Sequence, residues 1–488
     1  MPSGERRGLP AGLIAVIAAT LILRLVVGAL TPLTEDEAYY RLWSMAPAFG
    51  YYDHPPMIAW WIWLGRHLAG DTALGVRLLP ILAGAITGLI VFALARLAGA
   101  DRRVAGRAGE WFNAMLLVLA GGFLAVPDAA ASLFWALALT CALRAPRGQA
   151  LAWWALAGAT AGLACLSKYS ALFIAPGMLI WLIVTPGGRA QLRTAGPWLA
   201  AVIAAAVFAP NLVWNAHHHW LTFGKQFGRL SAHQFAPRYL AELIAGQTLL
   251  LSPLIALFAA AAILVRPRSD RPGADLTPFF ALTAPFAAYL VVHSLHDRVQ
   301  AHWPAPLYPL LAVCAAEAAA RVAERASWRR LASIAPWLGF ALGAVALGLL
   351  ATPGGVLGRL DPALPLRGWG PFTAHLEGMR RNFGAAWLGT TSYGLAAQLS
   401  DERALTVPII QLAERDRWSG LVQPAPDFRR PGLVVDLTRR ASAATLANCF
   451  NRVTPLAVVA RGDPGEEGKP YAVFLVSNPR LDVLARGC

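Results

Sequence analysis

About eleven apolar runs punctuate this chain, and they restrict its fold more than any other feature. They lie near 9–30, 78–98, 109–126, 129–143, 151–166, 171–185, 196–213, 239–264, 276–293, 303–320 and 333–352. A hydrocarbon core of about 30 Å needs roughly 20 apolar residues per helix, and inside it every backbone amide must be paired internally. The chain therefore reads as an all-α polytopic membrane bundle of about eleven transmembrane helices. Some runs are short, so one or two could be re-entrant or merged. Composition agrees: 14% of the 488 residues are charged, against about 25% in an average soluble domain. The first run follows Arg6 and Arg7 as a signal peptide would, but its length, and Arg24 within it, favour an uncleaved first helix. A net charge of +15 raises nucleic-acid binding as an option. The basic residues lie between the apolar runs rather than in one patch, so no nucleic acid is expected as a partner.

Those basic residues indicate an orientation. With a cytoplasmic N-terminus, the inner connections 1–9, 99–108, 144–150, 186–195, 265–275 and 321–332 hold 16 Lys/Arg, including Arg266, Arg268 and Arg271. The longer outer set, 31–77, 167–170, 214–238 and 294–302, holds 8. Basic loops stay inside, so an odd number of crossings leaves 353–488 outside. The expected organisation is a transmembrane domain over 1–352, with 31–77 as its first outer loop carrying amphipathic helices, and a soluble domain over 353–488.

That tail changes character. Strand-like runs at Gly432–Leu437, Pro455–Ala460 and Tyr471–Ser477, with a short helix at Thr391–Ser400, predict a small α/β domain. Cys141, Cys165 and Cys314 fall in apolar runs and read as packing residues, whereas Cys449 and Cys488 share the outer domain, where a disulfide is permitted.

The polar groups gather on the outer connections. Glu35, Asp36 and Glu37 are three adjacent carboxylates just beyond the first run, followed by Tyr39 and Tyr40. They read either as a solvated turn capping the next helix or as the source of a general base toward a hydroxyl. Tyr52-Asp53-His54-Pro55-Pro56 adds a carboxylate and an imidazole on a stiff turn, and Asp128 follows Pro127 at another outer boundary. Two carboxylates at matching depth could hold a divalent cation; as a bland alternative, Asp128 caps the following helix. Lys168, in a short outer turn, either snorkels or meets a phosphate. Arg298 and His302 stand at an outer helix entrance, suited to an anionic group. The His217–His219 triplet invites a metal reading, although adjacent residues point in different directions.

Taken together and in order, Asp36-Glu37-Ala38-Tyr39-Tyr40, Asp53-His54-Pro55-Pro56, Pro127-Asp128-Ala129, Leu166-Ser167-Lys168-Tyr169-Ser170, Pro210–Trp214 and Trp303-Pro304-Ala305-Pro306 resemble the GT-C fold polytopic glycosyltransferases. The branch is that of the lipid A aminoarabinose transferases and the protein O-mannosyltransferases. The resemblance covers roughly 10–320. It implies an inverting enzyme that moves a sugar from a polyprenyl-phosphate donor to a lipid or glycan acceptor, such as lipid A or lipopolysaccharide core, at the periplasmic face of a bacterial inner membrane. It casts Asp36 as the base, with Glu37, Tyr39, Tyr40 and Tyr52 around the substrate. Lys168, His54, Arg298 and His302 would face the donor phosphate, and Asp53 and Asp128 would hold Mg, Mn or Zn if a metal is used.

Two departures bear on this. The aminoarabinose transferases have Glu-Lys-Pro where this chain has Asp53-His54-Pro55, so a His replaces a phosphate-binding Lys. Their Glu-His pair is absent near Gln226-Phe227, and a third metal ligand would have to come from His217–His219 or His233. The rival readings are a protein O-glycosyltransferase and a lipid-linked-sugar transporter or flippase. A transporter expects ionisable residues at the bilayer midplane and internal repeats, and neither is evident.

Overall fold

The computed structural model describes residues 8–148, 150–228, 235–265, 273–352, 363–402, 405–421, 425–462, 468–480 and 482–488. His233, Arg266, Arg268 and Arg271, used in the sequence reading, lie outside these residues. The chain forms two compact units. The first comprises Met1–Ala29, His54–Trp61 and Arg77–Ala346, the second Leu30–Asp53, Ile62–Val76 and Leu347–Cys488.

In chain order the helices begin with α1 (Ala11–Leu30), α2 (Glu35–Met45), α3 (Met57–Ala69), α4 (Ala73–Leu97), α5 (Arg102–Ala114), α6 (Leu116–Gly121), α7 (Pro127–Arg144) and α8 (Ala150–Ser167). They continue with α9 (Ile174–Val184), α10 (Pro186–Leu192), α11 (Ala195–His217), α12 (Leu221–Phe227), α13 (Arg238–Leu250), α14 (Pro253–Leu264), α15 (Thr277–Ser294), α16 (Tyr308–Arg321) and α17 (Ala326–Ala351). Among the described residues seven helices are long and apolar enough to cross a membrane, or up to nine if each of two bent pairs is one span.

The difference from eleven has local causes. A proline disfavours the helical conformation in the residue before it, and both sharp bends precede one. Thr185 is extended before Pro186, where the axes turn by 113°. Ser252 has a φ of 69° before Pro253, where they turn by 112°. The run at 109–126 is split into α5 and α6 at Met115, which is extended. The run at 303–320 opens as a 3-10 turn over Ala305–Leu307, leaving α16 only 14 residues.

Within the first unit α16 packs against α5 and α14, and α8 packs against α7 and α11. Glycine makes the α8–α11 approach possible. A Cβ on Gly158 would stand 2.3 Å from the Ala200 carbonyl oxygen, and one on Gly162 would stand 2.6 Å from the Val207 Cβ.

The second unit carries a five-stranded sheet. Its strands are β1 (Trp387–Thr390), β2 (Ile409–Gln411), β3 (Gly432–Leu437), β4 (Phe450–Arg461) and β5 (Lys469–Pro479), in the order β2-β1-β3-β5-β4. The first three are mutually parallel, and β5 runs antiparallel to β3 and β4. Alternation divides the core: Leu433 and Val435 join Phe372 and Leu376 of α18 (Trp369–Asn382) and Leu395 of α19 (Tyr393–Asp401). Val434 instead joins Trp387, Ile410 and Phe450. Cys449 and Cys488 are disulfide-bonded with their Cα atoms 5.7 Å apart, while Cys141, Cys165 and Cys314 are free and buried.

Candidate active-site residues

The acidic triplet opens α2, where Thr34 and Glu37 form a capping box. The Glu37 backbone N–H donates to Thr34 Oγ1 at 3.2 Å, and the Thr34 N–H donates to Glu37 Oε2 at 2.9 Å. Within the acidic triplet, Glu37 is the residue that caps the helix. Glu37 is fully buried at the helix start. Helical rotation sends its two neighbours elsewhere. Glu35 lies against Gly394 of α19, where burial pushes its carboxyl up and the charges of Arg461 and Lys469 partly offset that.

Asp36 meets α19 at its first residue. The Tyr393 hydroxyl donates to Asp36 Oδ1 at 3.1 Å. Ser392 caps α19 by accepting from the Leu395 N–H at 3.4 Å, which fixes where Tyr393 emerges. Asp53 has a cationic partner that the sequence reading missed: Arg417, whose Nη1 donates to Asp53 Oδ2 and whose Nε donates to Glu414 Oε2 at 2.8 Å. The guanidinium stands 4.0 Å from the ring centre of Tyr393, 5.0 Å from Tyr52 and 5.9 Å from Tyr39. Burial acts against its charge, but Asp53 and Glu414 outweigh burial and hold Arg417 above its usual value. Burial, then the Asp53 charge, pushes the Tyr39 hydroxyl well up. Tyr39 and Tyr40 are buried rather than open to a substrate. Trp43 stacks on Tyr51 with ring centres 4.6 Å apart, and the Tyr51 hydroxyl donates to the Trp43 and Ala46 carbonyls, pinning the loop that leads to Asp53.

A separate cluster forms in the first unit. Lys168 Nζ donates to Asp128 Oδ1 at 2.6 Å, both side chains being buried, and His302 Nε2 lies 3.7 Å from Asp128 Oδ2. Asp128 sits in the first turn of α7 after Pro127, where the helix dipole favours a carboxylate. Lys168 is the extended residue that ends α8. Neither snorkelling nor a lone helix cap describes them, because each is the other's counter-ion. Next to Lys168, the Tyr169 hydroxyl donates to Asn211 Oδ1 at 2.9 Å.

Other expected positions differ. Arg298 is paired on the surface with Glu242 of α13 at 2.7 Å, so its charge is already matched by a carboxylate the sequence reading overlooked. His54 is half-buried in the bend before Pro55 and belongs to the first unit, whereas Asp53 and Tyr52 belong to the second. His218 stacks on Trp214 and contacts its carbonyl through Nδ1 at 2.7 Å. Among the described residues no group of three or more His, Cys, Asp or Glu is placed to hold a metal ion. Asp53 and Asp128 do not fit a cation as they stand, because Arg417 and Lys168 already neutralise them at hydrogen-bond distance.

Residues 53–214 match the family model for dolichyl-phosphate-mannose-protein mannosyltransferases. The chain is 29% identical over 318 residues to a lipid A galacturonosyltransferase, RgtD, from Rhizobium johnstonii, covering 61% of this chain. It spans 63% of the length of that curated relative. Among solved structures it is similar to ArnT from Cupriavidus metallidurans bound to undecaprenyl phosphate, with a TM-score of 0.61 and 15% identity, covering 94% of this chain and 97% of that one. The apo form of the same ArnT gives a TM-score of 0.59 over the same shares at 15% identity. The chain is a multi-pass membrane protein with the GT-C glycosyltransferase fold. It shares its fold with ArnT, and its similarity to the mannosyltransferase family model lies in residues 53–214.

Proposed function

We propose that this protein is an inverting glycosyltransferase of a bacterial inner membrane, taking its sugar from a polyprenyl-phosphate carrier and giving it to lipid A. The observation that carries the reading is Asp36 itself: a carboxylate at the start of an outer-loop helix, to which the Tyr393 hydroxyl donates at 3.1 Å. Asp36 takes the proton of the acceptor hydroxyl. The freed oxygen forms the new bond to the anomeric carbon from the side opposite the phosphate, the carbon–oxygen bond to the phosphate breaks, and polyprenyl phosphate leaves with that electron pair. Lys168, His302, His54 and Arg298 are the candidates to meet the donor phosphate. Lipid A as acceptor and a galacturonosyl group as the first sugar to assay are supported by the named relative. Undecaprenyl phosphate as carrier is supported by the ligand of the structural neighbour. The basic inner connections support an N-terminus in the cytoplasm, with Asp36 and the C-terminal unit in the periplasm.

The test is mass spectrometry of envelope glycolipids from cells with and without the protein, repeated with Asp36→Asn. One sugar should disappear from lipid A in both the deletion and the variant, with the variant still inserted in the membrane. An unchanged glycolipid profile on deletion sinks the reading. Full transfer by Asp36→Asn sinks the base assignment. Because the carboxylates of Asp53 and Asp128 are compensated, transfer should persist after exhaustive chelation; loss on chelation with recovery on adding Mg²⁺ or Mn²⁺ would return them to a metal role.

A further inference from the structure

We infer that Tyr393 is a positioning residue for the base Asp36, so that the second unit's C-terminal segment takes part in the chemistry and is not a passive appendage. The inference rests on the reading of Asp36 given above. Tyr393 stands at the first position of α19, directly after β1, and α19 packs on α2. Its hydroxyl donates to Asp36 Oδ1 at 3.1 Å, and its ring lies 4.9 Å from that of Tyr39 and 4.0 Å from the Arg417 guanidinium. The ring is thus clamped on two sides and the hydroxyl aimed at one carboxylate oxygen. That leaves the carboxylate held in a fixed orientation, which a base within reach of a hydroxyl requires.

Glu35 lies beside Asp36 on α2. Asp53 and Tyr52 come from the following loop, and Arg417 and Glu414 from the segment after β2. Arg417 is matched to Asp53 and Glu414, so the two acids do different work. Asp53 anchors the guanidinium, and the Tyr393 hydroxyl steadies Asp36 by donating to its Oδ1. A hydrogen bond to the ionised form of a carboxyl favours ionisation. Removing it moves the carboxyl's titration upward.

Tyr393→Phe keeps the clamped ring and deletes only the donor. Transfer of galacturonic acid from undecaprenyl-phosphate galacturonic acid to lipid A is measured across pH 5 to 9, for the full chain in detergent and for Tyr393→Phe and Asp36→Asn. If whole-cell glycolipid analysis identifies another sugar, that sugar replaces galacturonic acid on the carrier. The inference expects the acid limb of kcat/KM to rise by about one pH unit in Tyr393→Phe, a tenfold loss at low pH, with most activity regained at high pH. A uniform loss at every pH, or no change at all, would overturn it, since a merely structural tyrosine moves no limb. If Asp36→Asn is dead and Tyr393→Phe shows no shift, only this inference fails. If Asp36→Asn stays active, or wild type transfers nothing, the base reading fails and this inference with it.

Discussion

Lys168 and Asp128 meet at 2.6 Å with almost no exposed surface, 40 positions apart in the chain. Removing one member leaves the other charged and buried, which costs about 3–5 kcal/mol, whereas replacing both with apolar side chains of similar size is often neutral. Asp128→Leu or Lys168→Met alone should lower the melting temperature in detergent sharply, and the double variant should recover most of it. The same trio separates packing from recognition. If Lys168 meets the donor phosphate, the stable double variant will still bind undecaprenyl phosphate weakly in a titration; wild-type affinity in it would leave Lys168 a structural cation. In the sequence, each of these two residues marks a helix boundary, but nothing local says that one boundary faces the other. Arg417 and Asp53, 364 positions apart, are harder still. An arginine in a turn-rich tail has no periodicity that points to a carboxylate in the first loop, and the same holds for Tyr393 and Asp36.

At the scale of elements, hydrophobic runs fixed most helices, because burial in lipid leaves a long apolar segment no alternative conformation. The differences lie at Pro253 and the Pro304–Pro306 segment, where proline chemistry cuts a run, and at Met115, whose extended backbone separates α5 from α6. The strand Gly432–Leu437 was legible to the residue: both its faces are buried, so it reads as an uninterrupted apolar stretch. β1 and β2, at four and three residues, are too short to carry a pattern. Gly158 and Gly162 form a small-xxx-small stripe on α8, and such stripes let membrane helices approach closely. Gly162→Leu should therefore push α8 from α11 and lower thermal stability by several degrees, while Gly187→Leu, with nothing within 4 Å of its Cβ position, should not; equal melting of both would deny the stripe its role. In α18, Arg380, and then Arg381, hold Glu377 down from 4.5 to about 2 against the effect of burial. The charged form thus stabilises the fold above the range where an unfolded glutamate titrates, and that contribution is lost as pH falls toward 2. Glu377→Gln should be less stable than wild type at pH 7, with the gap narrowing below pH 4 and closing only toward pH 2 in melting curves; a gap independent of pH would sever the link to ionisation.

For the whole molecule, the biased distribution of Lys and Arg and the Cys449–Cys488 pair bear on the same question from opposite ends of the chain. The basic connections lead the sequence reading to expect the N-terminus in the cytoplasm and the C-terminal unit outside. A disulfide persists in an oxidising compartment and is rare in a reducing one. The three remaining cysteines are buried in the first unit, so the redox state of the pair reports on the compartment of the second unit alone. With its ends 39 positions apart in the chain, the bond is worth about 2–4 kcal/mol to that unit. In intact spheroplasts, external protease should cut Cys449→Ser within 425–488 faster than wild type, and wild type should become equally sensitive after reduction. Non-reducing mobility of the wild-type chain should differ from that of the variant even when thiols are blocked before lysis. If instead the tail is cut only in inverted vesicles and its cysteines react with a maleimide that crosses membranes, the second unit faces the cytoplasm. Asp36, carried in that same unit, would then lie on the wrong side for a periplasmic acceptor, and the proposed reaction would have to be relocated with it.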